Sequence, residues 1–161
     1  MTFVVTQTYL SEASPETIWA TLTDLEAWPS WDVRLERVTT DGPAKTGRTY
    51  RLTPVAGNEI EIKIISAERN KLHDVTKVEF GSIETERSVV ATNGGSLVTQ
   101  TMRADIVPEF AHTFSKVFWD VWSQGIIDST KALANAHTKS RTPYATPVDV
   151  ERLIAAHRNV A

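Results

Sequence analysis

Arg87 is the residue whose chemistry makes the strongest demand on its surroundings. In Ser82–Ala91, Ile83, Thr85 and Val89 share its phase, while Glu84, Glu86 and Ser88 point the other way. Strand alternation therefore turns Arg87 toward the interior. A buried charge without a partner costs on the order of several kcal/mol. Three readings are open at this stage. Arg87 anchors a carboxylate, enolate or carbonyl oxygen of a ligand through its planar fork. It forms an internal ion pair with Asp74, which shares its own strand's phase with Thr76, Val78 and Phe80. Or a bulge turns it to water.

Two further polar residues face inward by phase. Gln100 runs with Val98, Met102, Ala104 and Ile106, and Tyr50 runs with Leu52. Each needs a hydrogen-bond partner inside, either a ligand or the protein's own backbone and side chains. The aromatic residues Trp28, Trp31, Phe110, Phe114, Phe118 and Trp122 are many for one corner of a small protein. They read as core one by one. As a group they are also suited to line a void that a helix cannot fill.

Other chemistries find little support. His73, His112, His137 and His157 lack metal-ligand spacing, and no HExxH, GxSxG or phosphate-binding glycine loop is present. Glu59/Glu61 and Glu84/Glu86 have strand spacing on the polar face, where carboxylates are solvated. No metal and no cofactor is expected.

The elements that must position these residues are legible in outline. Residues 2–10 are rich in Val, Thr, Phe and Tyr, as a strand is. Ser14 is placed to cap a short helix, Pro15–Thr23, and a second helical piece near Leu25–Trp28 meets Pro29. From Val33 to Ile106 extended runs alternate with turn residues at Asp41-Gly42-Pro43, Gly47, Ala56-Gly57-Asn58, Arg69-Asn70, Gly81 and Asn93-Gly94-Gly95. Such short spacing predicts antiparallel hairpins. Each strand has one wet and one mostly apolar face, so one face of the sheet needs a cover. The stretch Pro108 to His137 supplies it: at about 100° per residue, Phe114, Phe118, Trp122, Gly125, Ser129, Ala132 and Ala136 form one stripe. Gly125 and Ser129 are small and leave room there.

Bulk composition narrows the classes. The chain has 161 residues, 41% of them apolar and 23% charged, which suits one domain with a sizeable core. A net charge of −3 carries no footprint for nucleic acid. With no cysteine, disulfides and thiolate chemistry are excluded. The sequence has no membrane-span-length apolar run and no signal-like start, so a cytoplasmic location is expected. Residues 1–138 read as one domain. Residues 139–161 read as a polar linker followed by a short helix, Pro147–Val160, expected to dock on its own domain or on a second copy of the chain.

The order strand, two short helices, hairpins, long terminal helix resembles the START/SRPBCC superfamily, the helix-grip fold of the birch-pollen allergen and of polyketide cyclase/dehydrase-like proteins. SEASPETIWATLTDLEAWPSWD (Ser11–Asp32), GGSLVTQTMRADI (Gly94–Ile106) and the helix Pro108–His137 carry the resemblance. It implies an α+β helix-grip fold, with a curved antiparallel sheet of six to seven strands and a long C-terminal helix over its concave face. It also implies a cavity between them for a lipid, polyketide or similar molecule. It does not imply catalysis, because function resides in sites rather than folds. The leading expectation is a binding protein for a small apolar or amphipathic ligand. Arg87, Gln100 and Tyr50 are its polar anchors, and Trp31, Phe80, Phe114, Phe118 and Trp122 its aromatic lining. A polyketide cyclase/dehydratase-like enzyme using the same cavity is the alternative, and an Hsp90-activator-like partner-binding module the third.

Overall fold

A computed structural model of the protein describes residues 1–138; the expected tail helix and its docking to a second copy lie outside the described residues. Seven strands are present: β1 (Thr2–Ser11), β2 (Leu35–Thr39), β3 (Thr49–Pro54), β4 (Ile60–Glu68), β5 (Lys71–Val78), β6 (Gly81–Thr92) and β7 (Gly95–Ile106). They form one antiparallel sheet in the order β1-β7-β6-β5-β4-β3-β2. Six strands follow the chain as hairpins, and β1 returns to pair with β7, from Thr2 opposite Asp105 to Ser11 opposite Ser96. The fold is a helix-grip fold.

Local chemistry explains the boundaries. Helix α1 (Pro15–Thr23) starts where Ser14 Oγ accepts the Thr17 amide at 3.2 Å, which satisfies one of the helix's orphan donors. The expected turn at Pro29 is absorbed instead into a 3-10 segment, Leu25–Ser30, with Pro29 inside it. Pro29 is the second residue of a turn closed by the Trp31 amide on the Trp28 carbonyl at 3.1 Å, a position that asks for no amide donor and suits proline's fixed φ. The hairpin between β6 and β7 turns on Asn93-Gly94, with Thr92 opposite Gly95. Gly95 has no substitute: a Cβ there would lie 2.0 Å from the carbonyl oxygen of Ser11, where β1 ends against it.

The cover over the sheet departs from a uniform helix. Helix α2 (Pro108–Thr113) runs through a π turn, Phe114–Phe118, into helix α3 (Trp119–Asn135). A π turn adds one residue to a turn. The buried stripe past that point therefore advances by one, from the expected Gly125, Ser129 and Ala132 to Ile126, Thr130 and Leu133. A fixed 100° per residue cannot anticipate that step.

The interior divides into two packed groups. One gathers Ile18, Leu22, Leu25, Tyr50, Leu72 and Leu133 beneath the short helices. The other gathers Ile83, Met102, Ala104, Ile106, Phe114 and Ile126 beneath the start of the long helix.

The hairpin joining β4 to β5 carries a correctable flaw. Glu68 pairs with Lys71, and both residues between them, Arg69 (φ 55°) and Asn70 (φ 61°), are left-handed. This is the backbone of a type I′ turn, which favours Asn-Gly. A non-glycine side chain in that region costs about 1–2 kcal/mol. Replacing the pair through Arg69→Asn and Asn70→Gly should raise unfolding free energy by about 1 kcal/mol in urea denaturation. An unchanged or lowered midpoint would mean that the turn is not type I′.

Candidate functional site

The two packed groups do not meet. Between them lies a cavity of about 320 Å3, bounded by the concave face of β3–β7, by α3 and by the 3-10 segment. Its walls include Trp28 and Leu133 from the first group and Ile83, Met102 and Ile126 from the second. Ile62 and Trp122 add to the apolar lining. Val121, 71% exposed, is also part of the wall, so the cavity reaches the surface beside α3.

Arg87 is in the cavity wall and is also internally paired. Its Nη1 donates to Asp74 Oδ2 at 2.7 Å, with the two side chains 12% and 4% exposed. Register makes this pairing possible. Asp74 faces Thr85 and Leu72 faces Arg87, so Asp74 and Arg87 are diagonal neighbours on one face of β5 and β6, within reach of a long side chain. Two aromatic residues complete the cluster. Tyr50 donates its hydroxyl to the same Asp74 Oδ2 at 2.7 Å, and Trp28 lies under the Arg87 guanidinium, 5.0 Å from ring centroid to Cζ. Trp28 is itself fixed by an Nε1 bond to the carbonyl of Leu22 at 3.0 Å. Tyr50 is thus buried behind Asp74 and does not form part of the cavity wall.

The electrostatics follow from this packing. Burial pushes the Tyr50 hydroxyl well above its ordinary pKa, and the neighbouring Asp74 carboxylate pushes it further. For Arg87, burial acts against the charge, but Asp74 and then Tyr50 outweigh it and raise the guanidinium's pKa.

Gln100 lies opposite Arg87 on β7 and also belongs to the wall. Its Oε1 accepts from Ser129 Oγ at 2.9 Å and Thr130 Oγ1 at 3.2 Å. Ser129, expected to leave room, is in the cavity wall and also ties the sheet to α3. Gly125 has a similar second role. Arg34 chelates Asp32 through Nε (3.1 Å) and Nη2 (2.9 Å), and its Nη1 reaches the Gly125 carbonyl at 2.6 Å. A Cβ on Gly125 would sit 3.2 Å from that nitrogen, so glycine lets the guanidinium approach the helix. Gly125 is also in the cavity wall.

The aromatic lining needs correction. Trp31 and Trp122 are in the wall, but Phe80, Phe114 and Phe118 are not. These three rings pack on one another, with Phe80 5.9 Å from Phe114 and 6.0 Å from Phe118, and Phe80 stacks on Phe110 at 4.6 Å. Aromatic faces and edges at such distances attract, so the rings close their end of the fold instead of leaving it hollow. Sequence reasoning missed Asp32 and Arg34, whose two-residue separation resembles an ordinary loop pair. It also passed over Thr85 and Ile83, although their alternation with Arg87 already placed them on the inner face.

A curved sheet closed on a long helix around a mostly apolar cavity defines a helix-grip protein. The family model described as "Polyketide cyclase / dehydrase and lipid transport" matches residues 2–141, and the chain belongs to that family. No curated protein matches the chain. Among solved structures, truncated norcoclaurine synthase from Thalictrum flavum superposes with a TM-score of 0.69 at 16% identity, covering 88% of this chain and 96% of its own. A START superfamily protein from Mycobacterium smegmatis gives 0.55 at 17% identity, covering 77% and 97%. The di-domain ARO/CYC protein BexL from a biosynthetic pathway gives 0.67 at 9% identity, covering 88% of this chain and 51% of that one. At these identities the likeness is one of fold.

Two outcomes test the buried cluster. Arg87→Met leaves Asp74 as an unpaired interior carboxylate, so it should destabilise the protein by about 3–5 kcal/mol. Adding Asp74→Asn should recover much of that loss, as read by denaturant unfolding. Full stability of the single variant would show the pair to be solvated. Tyr50 sets an alkaline limit. Its folded pKa is raised, so its contribution is complete below the unfolded value near 10.0 and is lost as pH rises toward the folded one. Stability should therefore fall above pH 10 by about 1.4 kcal/mol per pH unit from this group, and Tyr50→Phe should flatten that fall.

Proposed function

We propose that this protein binds a small, mostly apolar molecule in the cavity between sheet and helix. The observation that carries this reading is a mostly apolar cavity of about 320 Å3 whose walls draw on both packed groups. Ligand sites have about this size and this mixture of apolar walls with a few convergent polar groups. Arg87 and Gln100 are the anchors on the polar wall, and Trp31 and Trp122 lie against the ligand's apolar body. Tyr50 acts at one remove, by holding Asp74.

The family description names cyclases and dehydrases beside lipid transport. Binding is preferred because the cavity's carboxylates are committed: Asp74 holds Arg87 and Tyr50, and Asp32 holds Arg34. A general base has to be free to take a proton in the substrate's reach.

A neutral naphthyl-ketone dye reports on the cavity directly. Its emission should brighten and shift blue with the wild-type protein. Ile62→Phe and Thr85→Phe each place a ring in the void and should abolish that signal. Melting temperature should hold or rise, because filling a cavity commonly adds about 0.5–2 kcal/mol. Dye binding that survives both substitutions would place the dye elsewhere and remove the basis for this reading. Native mass spectrometry of the purified protein would then identify any resident molecule.

A further inference from the structure

The polar wall of the cavity has an uneven account of charges and hydrogen bonds. Its ionisable residues are Asp32, Asp74, Arg34 and Arg87, two carboxylates against two guanidiniums. Each carboxylate already holds an arginine, at 2.9 Å for Asp32–Arg34 and 2.7 Å for Asp74–Arg87. Arg34 spends Nε, Nη1 and Nη2 on Asp32 and Gly125. Arg87 donates Nη1 to Asp74 and also meets the Tyr50 hydroxyl, and Gln100 uses its acceptor, Oε1. Further guanidinium N–H groups of Arg87 and the amide Nε2 of Gln100 therefore stand beside one another on β6 and β7, on residues directly paired across the two strands.

We infer that this wall selects a neutral head group bearing an oxygen acceptor, such as a ketone, ester or lactone carbonyl, over a carboxylate or an ammonium of the same chain length. The inference rests on the binding role proposed above and deepens it. A neutral carbonyl accepts from these donors and disturbs neither ion pair. An anion in the same place meets the Asp74 carboxylate, and it loses its hydration to a site with no net charge to offset that loss. A cation drawn to Asp74 meets the Arg87 guanidinium in the same way. Arg87 therefore acts as a polar donor whose charge is already answered, not as a bare cation awaiting an acid.

Displacement of the naphthyl-ketone dye by four eight-carbon probes at neutral pH tests this: 2-octanone, octane, octanoate and octylamine. The ketone should bind roughly tenfold or more tighter than octane and than either ion, the scale of one hydrogen bond to a charged donor. Asp74→Asn removes the opposing carboxylate, and octanoate should then gain roughly tenfold to a hundredfold relative to the ketone. Gln100→Met should bring the ketone toward octane. If octanoate or octylamine matches the ketone on the wild-type protein, or if octane does, the head-group inference is wrong while the cavity remains a binding site. If neither the dye nor any probe binds, the binding role itself fails. Should Asp74→Asn not fold, the wild-type ranking decides alone.

Discussion

The buried pair Asp74–Arg87 is the constraint around which the rest of this structure is arranged. Two opposite charges on the concave face of a sheet are tolerable only when they meet, and diagonal register on β5 and β6 lets them do so at 2.7 Å. Further contacts then become necessary. The carboxylate takes a second donor from Tyr50, whose strand lies beyond β4, and the guanidinium lies over Trp28 from the 3-10 segment. The pair thereby connects the sheet's far side to the short helices. A polar cluster of this kind occupies a place where apolar side chains would otherwise close the interior, and the cavity begins beside it.

The long helix meets that interior through a change of phase. Where the π turn begins, it presents Phe114 to a cluster of aromatic rings. After it, Ile126, Thr130 and Leu133 face inward, and Ser129 and Thr130 reach Gln100. One added residue thus brings Thr130 inward beside Ser129, so that two hydroxyls face the sheet. The Arg34 guanidinium, held by Asp32, grips the helix at Gly125 beside the cavity's opening.

This arrangement gives the cavity a particular chemical character. Its charges cancel in pairs, its apolar walls draw on both core groups, and donors of Arg87 and Gln100 stand side by side on its polar wall. Membership in a family described by both cyclase/dehydrase activity and lipid transport leaves a range of functions. The pairing of Asp32 and Asp74 with arginines is what supports the proposed binding role.

Sequence alone determined the elements and their faces. Capping at Ser14, the hairpin punctuation and the alternation of Ile60, Ile62 and Ile64 or of Ile83, Thr85, Arg87 and Val89 are local properties with periods of two or 3.6 residues. They survive folding because backbone geometry imposes them. The same alternation identified Arg87 and Gln100 as inward polar residues and Asp74 as a candidate partner. Tertiary structure decided what those residues touch. That Asp74 also serves Tyr50, that Phe80, Phe114 and Phe118 stack instead of lining a void, and that Gly125 admits Arg34 all depend on distances between elements far apart in the chain. A single π turn shifted the helix face in a way no periodic rule contains. The cavity is the clearest case: a void is set by what two packed groups fail to reach, and that is a property of their separation in space, not of any residue in them.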